Sequence, residues 1–216
     1  MSPDQEQSSR TVDAIISLPG LHQPLSSMSH LTGAVVFTWL SYYLLRPLFG
    51  DWGRFASVAI FTLAAIGLLA ISSIYHMFAH DEYAGSILLR VDLAAIFVLI
   101  AGSFTPVHAI LFAGWKRWGI LALIWSIAIV GILVRMIFFE TITRPFGAVI
   151  FLAMGWIGGY TSYLFYRRGD WHYLGLAVAG GIFYSLGAVS NAAGWPTLIP
   201  GIWGPHETMH FAVLGG

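Results

Sequence analysis

The stretch FASVAIFTLAAIGLLAISSIYHMF, residues 55–78, decides the fold. It carries no charged side chain and is apolar all round until it closes on Ser72-Ser73-Ile74-Tyr75-His76. A helix needs about 20 apolar residues to cross a bilayer, and this run has them. A barrel strand would instead show about 10 residues of alternating polarity. Comparable runs recur at 28–48, 87–112, 117–137, 146–166 and 172–193, and a last one opens near Ile202 and ends with the sequence at Gly216. Charges, prolines and glycines collect between them: Arg46-Pro47 to Arg54, His80-Asp81-Glu82, Lys116-Arg117, Glu140 to Pro145, Arg167 to Asp170, and then Pro196, Pro200 and Pro205. The expectation is an all-α membrane protein, a seven-transmembrane helix bundle over 27–216 with a short or cut-back helix 7, preceded by a polar segment over 1–26.

Composition agrees. The 216 residues are 57% hydrophobic and only 9% charged, with no net charge and no cysteine, and the mean hydropathy is +0.77. Soluble domains carry about 25% charged residues. Disorder is excluded by the low charge and by nine tryptophans, nine tyrosines and fifteen phenylalanines. The absent cysteines exclude a disulfide scaffold or thiolate metal site, and the lack of basic excess speaks against a nucleic-acid partner. The start is polar, with Asp4, Glu6, Arg10 and Asp13, so no cleaved signal peptide is expected; 11–22 reads as a surface helix or coil.

Alternating spans divide the loops between two faces. The N-terminal face, side A, holds Arg10, Arg90, Arg135 and Arg144, while side B holds Arg46, Arg54, Lys116, Arg117, Arg167 and Arg168. Basic residues favour the cytoplasm, which points to side B inside and the N-terminus outside.

Ionisable groups within spans are expensive and mark sites. Ser72 and His76 lie four residues apart on one face of the second span, Asp92 sits about a turn and a half into the third, and His206 and His210 form another i,i+4 pair opening the seventh. The end of the second span and the starts of the third and seventh all lie toward side A, so these five residues converge at one depth. Three imidazoles with an open fourth position are a catalytic zinc ligand set. Asp92 then fits an outer position that orients water, and Ser72 a place against metal or substrate carbonyl.

Blander readings exist for each residue alone. His76 suits a helix-end histidine bonded to a carbonyl, and Asp92 suits a pair with Arg90. His30, at the start of the first span, is a fourth ligand candidate; His22 and His80 read as interfacial, and His108 and His172 fall toward side B. Residues 206–210 also spell HExxH, the zinc-protease motif in which the glutamate is the base. Glu207 would then be catalytic, with a third ligand from His76 or Asp92.

With these residues in place, the chain resembles the hemolysin III family, the bacterial branch of the progestin and adipoQ receptor group, within a superfamily that includes the alkaline ceramidases. The shared pattern is a serine about a turn before a histidine, an aspartate in the next span, and His-x-x-x-His in the last; here Ser72 with His76, Asp92, and His206 with His210. SHLTGA (29–34), AGSFTP (101–106), MGW (154–156) and GGIFYSLGA (180–188) are similar to family stretches, so the likeness spans nearly the whole chain. Departures are Glu207-Thr208-Met209 in place of Ala-Ile-Trp, Gln23 and Ser26 where relatives often carry Glu and Asn, and the short last span.

The resemblance implies seven helices around a buried zinc (Zn2+) bound by the three histidines, in a bacterial plasma membrane. Receptor relatives keep the N-terminus and zinc near the cytoplasm, opposite to the charge count. The expected activity is zinc-dependent hydrolysis of a lipid amide or ester, with Asp92 and Ser72 catalytic; the alternatives are a zinc-containing receptor or sensor, and a cytolytic protein. Phe104, Trp156, Gly180, Gly181 and Tyr184 are candidate lining for a lipid cavity, or packing residues.

Overall fold

A computed structural model of the chain describes residues 23–78, 82–141 and 144–216. The polar segment before Gln23, with His22, and the loop residue His80 lie outside the described residues. The rest is helical: α1 (Pro24–Leu45), a 3-10 turn (Arg46–Leu48), α2 (Trp52–Phe78), α3 (Glu82–Leu111), α4 (Trp115–Ile137), α5 (Arg144–Trp156), α6 (Gly158–Arg168), α7 (Trp171–Ala193) and α8 (Pro205–Gly215). Among the described residues, extended pairing is confined to one bridge, Ile199 with Trp203, in the loop before α8.

Among the described residues, five runs are long and apolar enough to cross a membrane: Trp52–Phe78, Tyr83–Leu111, Trp115–Ile137, Val149–Arg168 and Trp171–Ala193. The first expected span forms α1, with 22 residues, but Ser26, Ser27, Ser29 and His30 dilute its apolar character. The last forms α8, whose 11 residues are too few to cross. Between α5 and α6 the expected single helix tightens at Ile157, where Ile157 N–H bonds Met154 O (3.3 Å) and Tyr160 N–H bonds Ile157 O (3.0 Å). Such three-residue turns suit the flanking Gly155, Gly158 and Gly159, which are poor helix formers.

Chain neighbours pack in sequence from α1 to α4; α5 touches α3 and α7, α6 leads into α7, and α8 lies against both α7 and α1. Burial is arranged for lipid as solvent. Val35, Trp39, Leu63, Ile129, Val130, Leu176 and Leu186 point outward, while Ser57, Thr62, Ser72, Ser73, Thr105 and Thr161 are buried. Interior polar groups pair where no water competes, as at Trp125, whose Nε1 donates to Thr105 Oγ1 (3.1 Å), which donates to Ala101 O (2.9 Å). Two glycines let helices approach closely. A Cβ on Gly102 would meet Ala64 Cβ of α2 at 2.9 Å, and one on Gly187 would meet Ala212 Cβ of α8 at 2.7 Å. These lie in the AGSFTP and GGIFYSLGA stretches.

Two candidate lining residues are placed elsewhere. Trp156 is exposed on the outer surface, and Phe104 belongs to an apolar core with Phe97, Ile124 and Met154.

Candidate metal centre

The loop after α7 positions the last helix. It turns back at Pro200-Gly201, where Gly201 has φ +78°, and Leu198 N–H and Trp203 O close it at 2.9 Å. Trp203 then stacks on Phe211 of α8 at 4.7 Å and donates to Thr208 Oγ1 (3.1 Å). Pro205 opens α8, where a missing N–H costs nothing. Glu207, two residues on, accepts the Gly204 N–H at 3.0 Å, capping the helix. One turn of α8 thus faces the end of α2.

There the expected histidines meet. His76 Nε2 lies 3.3 Å from His206 Nε2, and His206 Nε2 lies 3.1 Å from His210 Nε2. One ligand atom from each of the three gathers within 4.8 Å of the others. His76 and His210 are buried, each 2% exposed. The remaining ring nitrogens set the tautomers. His76 Nδ1–H donates to Gln23 Oε1, and the Gln23 main-chain N–H returns a bond to His76 O at 3.2 Å. His206 Nδ1 lies 3.4 Å from Asn191 Oδ1. With protons on those Nδ1 atoms, the Nε2 atoms of His76 and His206 present lone pairs to each other. One proton on His210 can bridge only one contact, so the arrangement fits a shared cation.

The spacing fits too. Zinc–nitrogen bonds of about 2.0–2.1 Å in a tetrahedral site put neighbouring ligand nitrogens about 3.3–3.4 Å apart. The three-histidine group can hold a metal ion.

Asp92 stands outside this group. It is 9% exposed and lies within interaction range of Ser72, which sits one turn of α2 before His76. The expected pairing with Arg90 is not made; Arg90 bonds Glu140 at 3.2 Å. Asp92 Oδ1 has no protein hydrogen-bond partner. His30 also stays outside, although its ring stacks on His210 with centroids 3.9 Å apart. Neither of its ring nitrogens makes a well-formed hydrogen bond.

Glu207 is buried and doubly tied. Besides the cap, its Oε1 accepts from Ser26 Oγ at 2.8 Å, joining α8 to α1. His108 keeps to side B, bonded to Lys116 O (2.6 Å) and Thr161 Oγ1 (3.0 Å). Sequence reasoning missed the roles of Gln23 and Asn191; it noted Gln23 only as a departure. The available signal was position, since Gln23 directly precedes Pro24, which opens α1 on side A.

The comparisons with known proteins agree with this architecture. The family model described as "Haemolysin-III related" matches residues 21–216. The chain belongs to the haemolysin-III-related family. Within it, the chain is 30% identical over 167 residues to the protein called Hemolysin-3 of Bacillus cereus, covering 76% of this chain and 73% of the relative. It is 28% identical over 173 residues to the Hemolysin-3 homolog of Bacillus subtilis (strain 168), covering 77% and 76% respectively. This haemolysin-III-family chain is a helical membrane protein whose three buried or half-buried histidines form a candidate metal site.

Proposed function

We propose that this protein is a zinc-dependent hydrolase of a lipid amide or ester, integral to a bacterial plasma membrane, with His76, His206 and His210 holding the ion. The observation that carries the reading is the meeting of three Nε2 atoms from two helices, a turn of α2 away from the Ser72–Asp92 pair. Bound zinc supplies Lewis-acid polarisation and lowers the pKa of water from 15.7 toward about 7.

The chain's own groups do the rest. Asp92 accepts the proton of the attacking water and returns it to the departing amine or alcohol. Its free Oδ1 is the atom for that transfer, while Ser72 holds the carboxylate in place. When Asp92 is protonated, the Ser72 hydroxyl is released to donate to the developing oxyanion. Gln23 and Asn191 keep the Nε2 atoms of His76 and His206 turned inward. The lipid bilayer brings the substrate.

Metal analysis of the purified chain, followed by turnover on a panel of lipid amides and esters, tests this. About one zinc per chain is expected in wild type and Asp92→Asn, with turnover in Asp92→Asn lower by about a hundredfold or more. Equal turnover by the two proteins removes Asp92 from the mechanism. A second reading, a non-enzymatic zinc receptor or sensor, draws on His30, buried beside His210. It predicts zinc without turnover on any panel member, and zinc loss in His30→Ala.

A further inference from the structure

A cleft lies at the other end of the bundle from His76, His206 and His210. It measures about 490 Å³ and is lined by Leu111, Phe112, Trp115, Lys116, Tyr160 and Arg168, with Ala113 between. Leu111, which lines it, is nineteen residues beyond Asp92 on α3, about 28 Å at 1.5 Å per residue. The cleft is therefore independent of the metal centre and of the proposed activity.

Its walls are built rather than incidental. His108 is fully buried; its Nδ1–H donates to Lys116 O, and Thr161 Oγ–H donates to its Nε2. Arg117 Nε donates to Phe112 O at 2.8 Å, and Arg168 Nη1 to Leu111 O at 2.6 Å. Four side-chain bonds thus clamp the turn between α3 and α4, where Gly114 takes φ +57°.

Charge and depth then define what fits. Lys116 and Arg168 line the cleft, with Arg117 and Arg167 beside them in sequence, and Asp170 pairs with Arg168 at 2.9 Å. Lys116 enters none of the ion pairs among the described residues, so its ammonium keeps its charge for a ligand. Arg168 and Tyr160 are eight residues apart on α6, about 12 Å along the helix axis. The cleft therefore runs from cations at the interface to an aromatic, apolar floor at acyl-chain depth. Trp115, 79% exposed, stands at its mouth, where indoles favour the headgroup layer.

We propose that this cleft is a binding site for one anionic phospholipid, its phosphodiester on Lys116, with the Asp170-paired Arg168 as the adjoining wall, and its upper acyl chain along Tyr160. Basic pockets between membrane helices suit such headgroups.

Native mass spectrometry of the full chain in neutral detergent, titrated with phosphatidylglycerol or phosphatidylcholine of identical chains, tests it. The expected result is tighter binding of the anionic lipid, weakened about fivefold in Lys116→Met and restored in Lys116→Arg. Arg54→Gln, on the same face but paired with Asp51, leaves binding unchanged. The Lys116 bond to His108 uses main chain, so these variants keep the clamp. Equal binding of both lipids overturns the proposal, as does an equal fall in Arg54→Gln, which marks a diffuse surface field. Displacement by inorganic phosphate or by the chain-free headgroup at the same concentration as lipid also overturns it, because a free anion is then the ligand.

Discussion

Buried histidines occupy both ends of this bundle, and they are wired in opposite ways. On side B, His108 gives its proton to Lys116 O and takes one from Thr161. Each ring nitrogen meets a protein group of complementary character, and the ring stacks on Phe112 at 5.0 Å. On side A, His76 and His206 spend their Nδ1 atoms on orientation, and these two and His210 turn their Nε2 atoms on one another. His76, His210 and His108 are alike in burial and in residue type; what differs is the character of what faces the inner nitrogen. A satisfied ring braces a turn. Rings that face one another's lone pairs call for a cation.

The largest expected effect breaks the two ends apart directly. His210→Ala and His76→Ala each remove a third of the ligand set, and zinc content measured on purified protein is expected to fall from about one per chain to near zero in either. His108→Ala is expected to keep full zinc content and instead lower thermal stability, by about 1–3 kcal/mol for the buried partners left unsatisfied. Stoichiometric zinc in both side A variants ends the metal reading. Zinc loss in His108→Ala erases the contrast between the ends.

A smaller effect sharpens what makes side A different. Gln23 accepts the His76 Nδ1–H and also bonds His76 through its own main chain. Removing such a partner costs about 10–100-fold in metal affinity. Gln23→Ala is expected to weaken zinc by that factor in a competition titration against a chelator. Gln23→Glu, which keeps an acceptor, is expected to hold zinc at least as well. If Gln23→Ala binds zinc like wild type, the tautomer of His76 is set by something else.

The contrast was half visible in the sequence. Spans and their order follow from length and hydropathy alone, and two i,i+4 patterns plus alternation bring His76, His206 and His210 to one face. Helix starts were misjudged by a few residues. Trp52, Trp115 and Trp171 open α2, α4 and α7, ahead of the expected 55, 117 and 172. Hydropathy counts from the first aliphatic run, whereas helices begin in the interface that tryptophan prefers. The tightening at Ile157 needs backbone geometry that Gly155 and Gly158 only permit. Gln23 and Asn191 were illegible as supporting groups, because an uncharged amide declares its role only through the atom it touches. Glu207 is the opposite case, a legible motif whose glutamate is held by Gly204 N–H and the Ser26 hydroxyl.

Glu207 also gives the smallest expected effect. HExxH would make it the base, and its loss would then cost turnover a hundredfold or more. Its surroundings argue otherwise. One oxygen accepts the Gly204 N–H at the start of α8 and the other accepts the Ser26 hydroxyl from α1, so both are committed to holding the last helix in place. Its neighbour His206 faces His76, and one residue along a helix turns about 100° from that direction. Glu207→Gln keeps an amide oxygen for one of those bonds and loses the negative charge that suits a helix N-terminus. A stability loss of about 1 kcal/mol is expected, with zinc content unchanged and turnover within about twofold. A collapse of turnover with stability and zinc intact would move the base from Asp92 to Glu207, and with it the chemistry from α3 to α8.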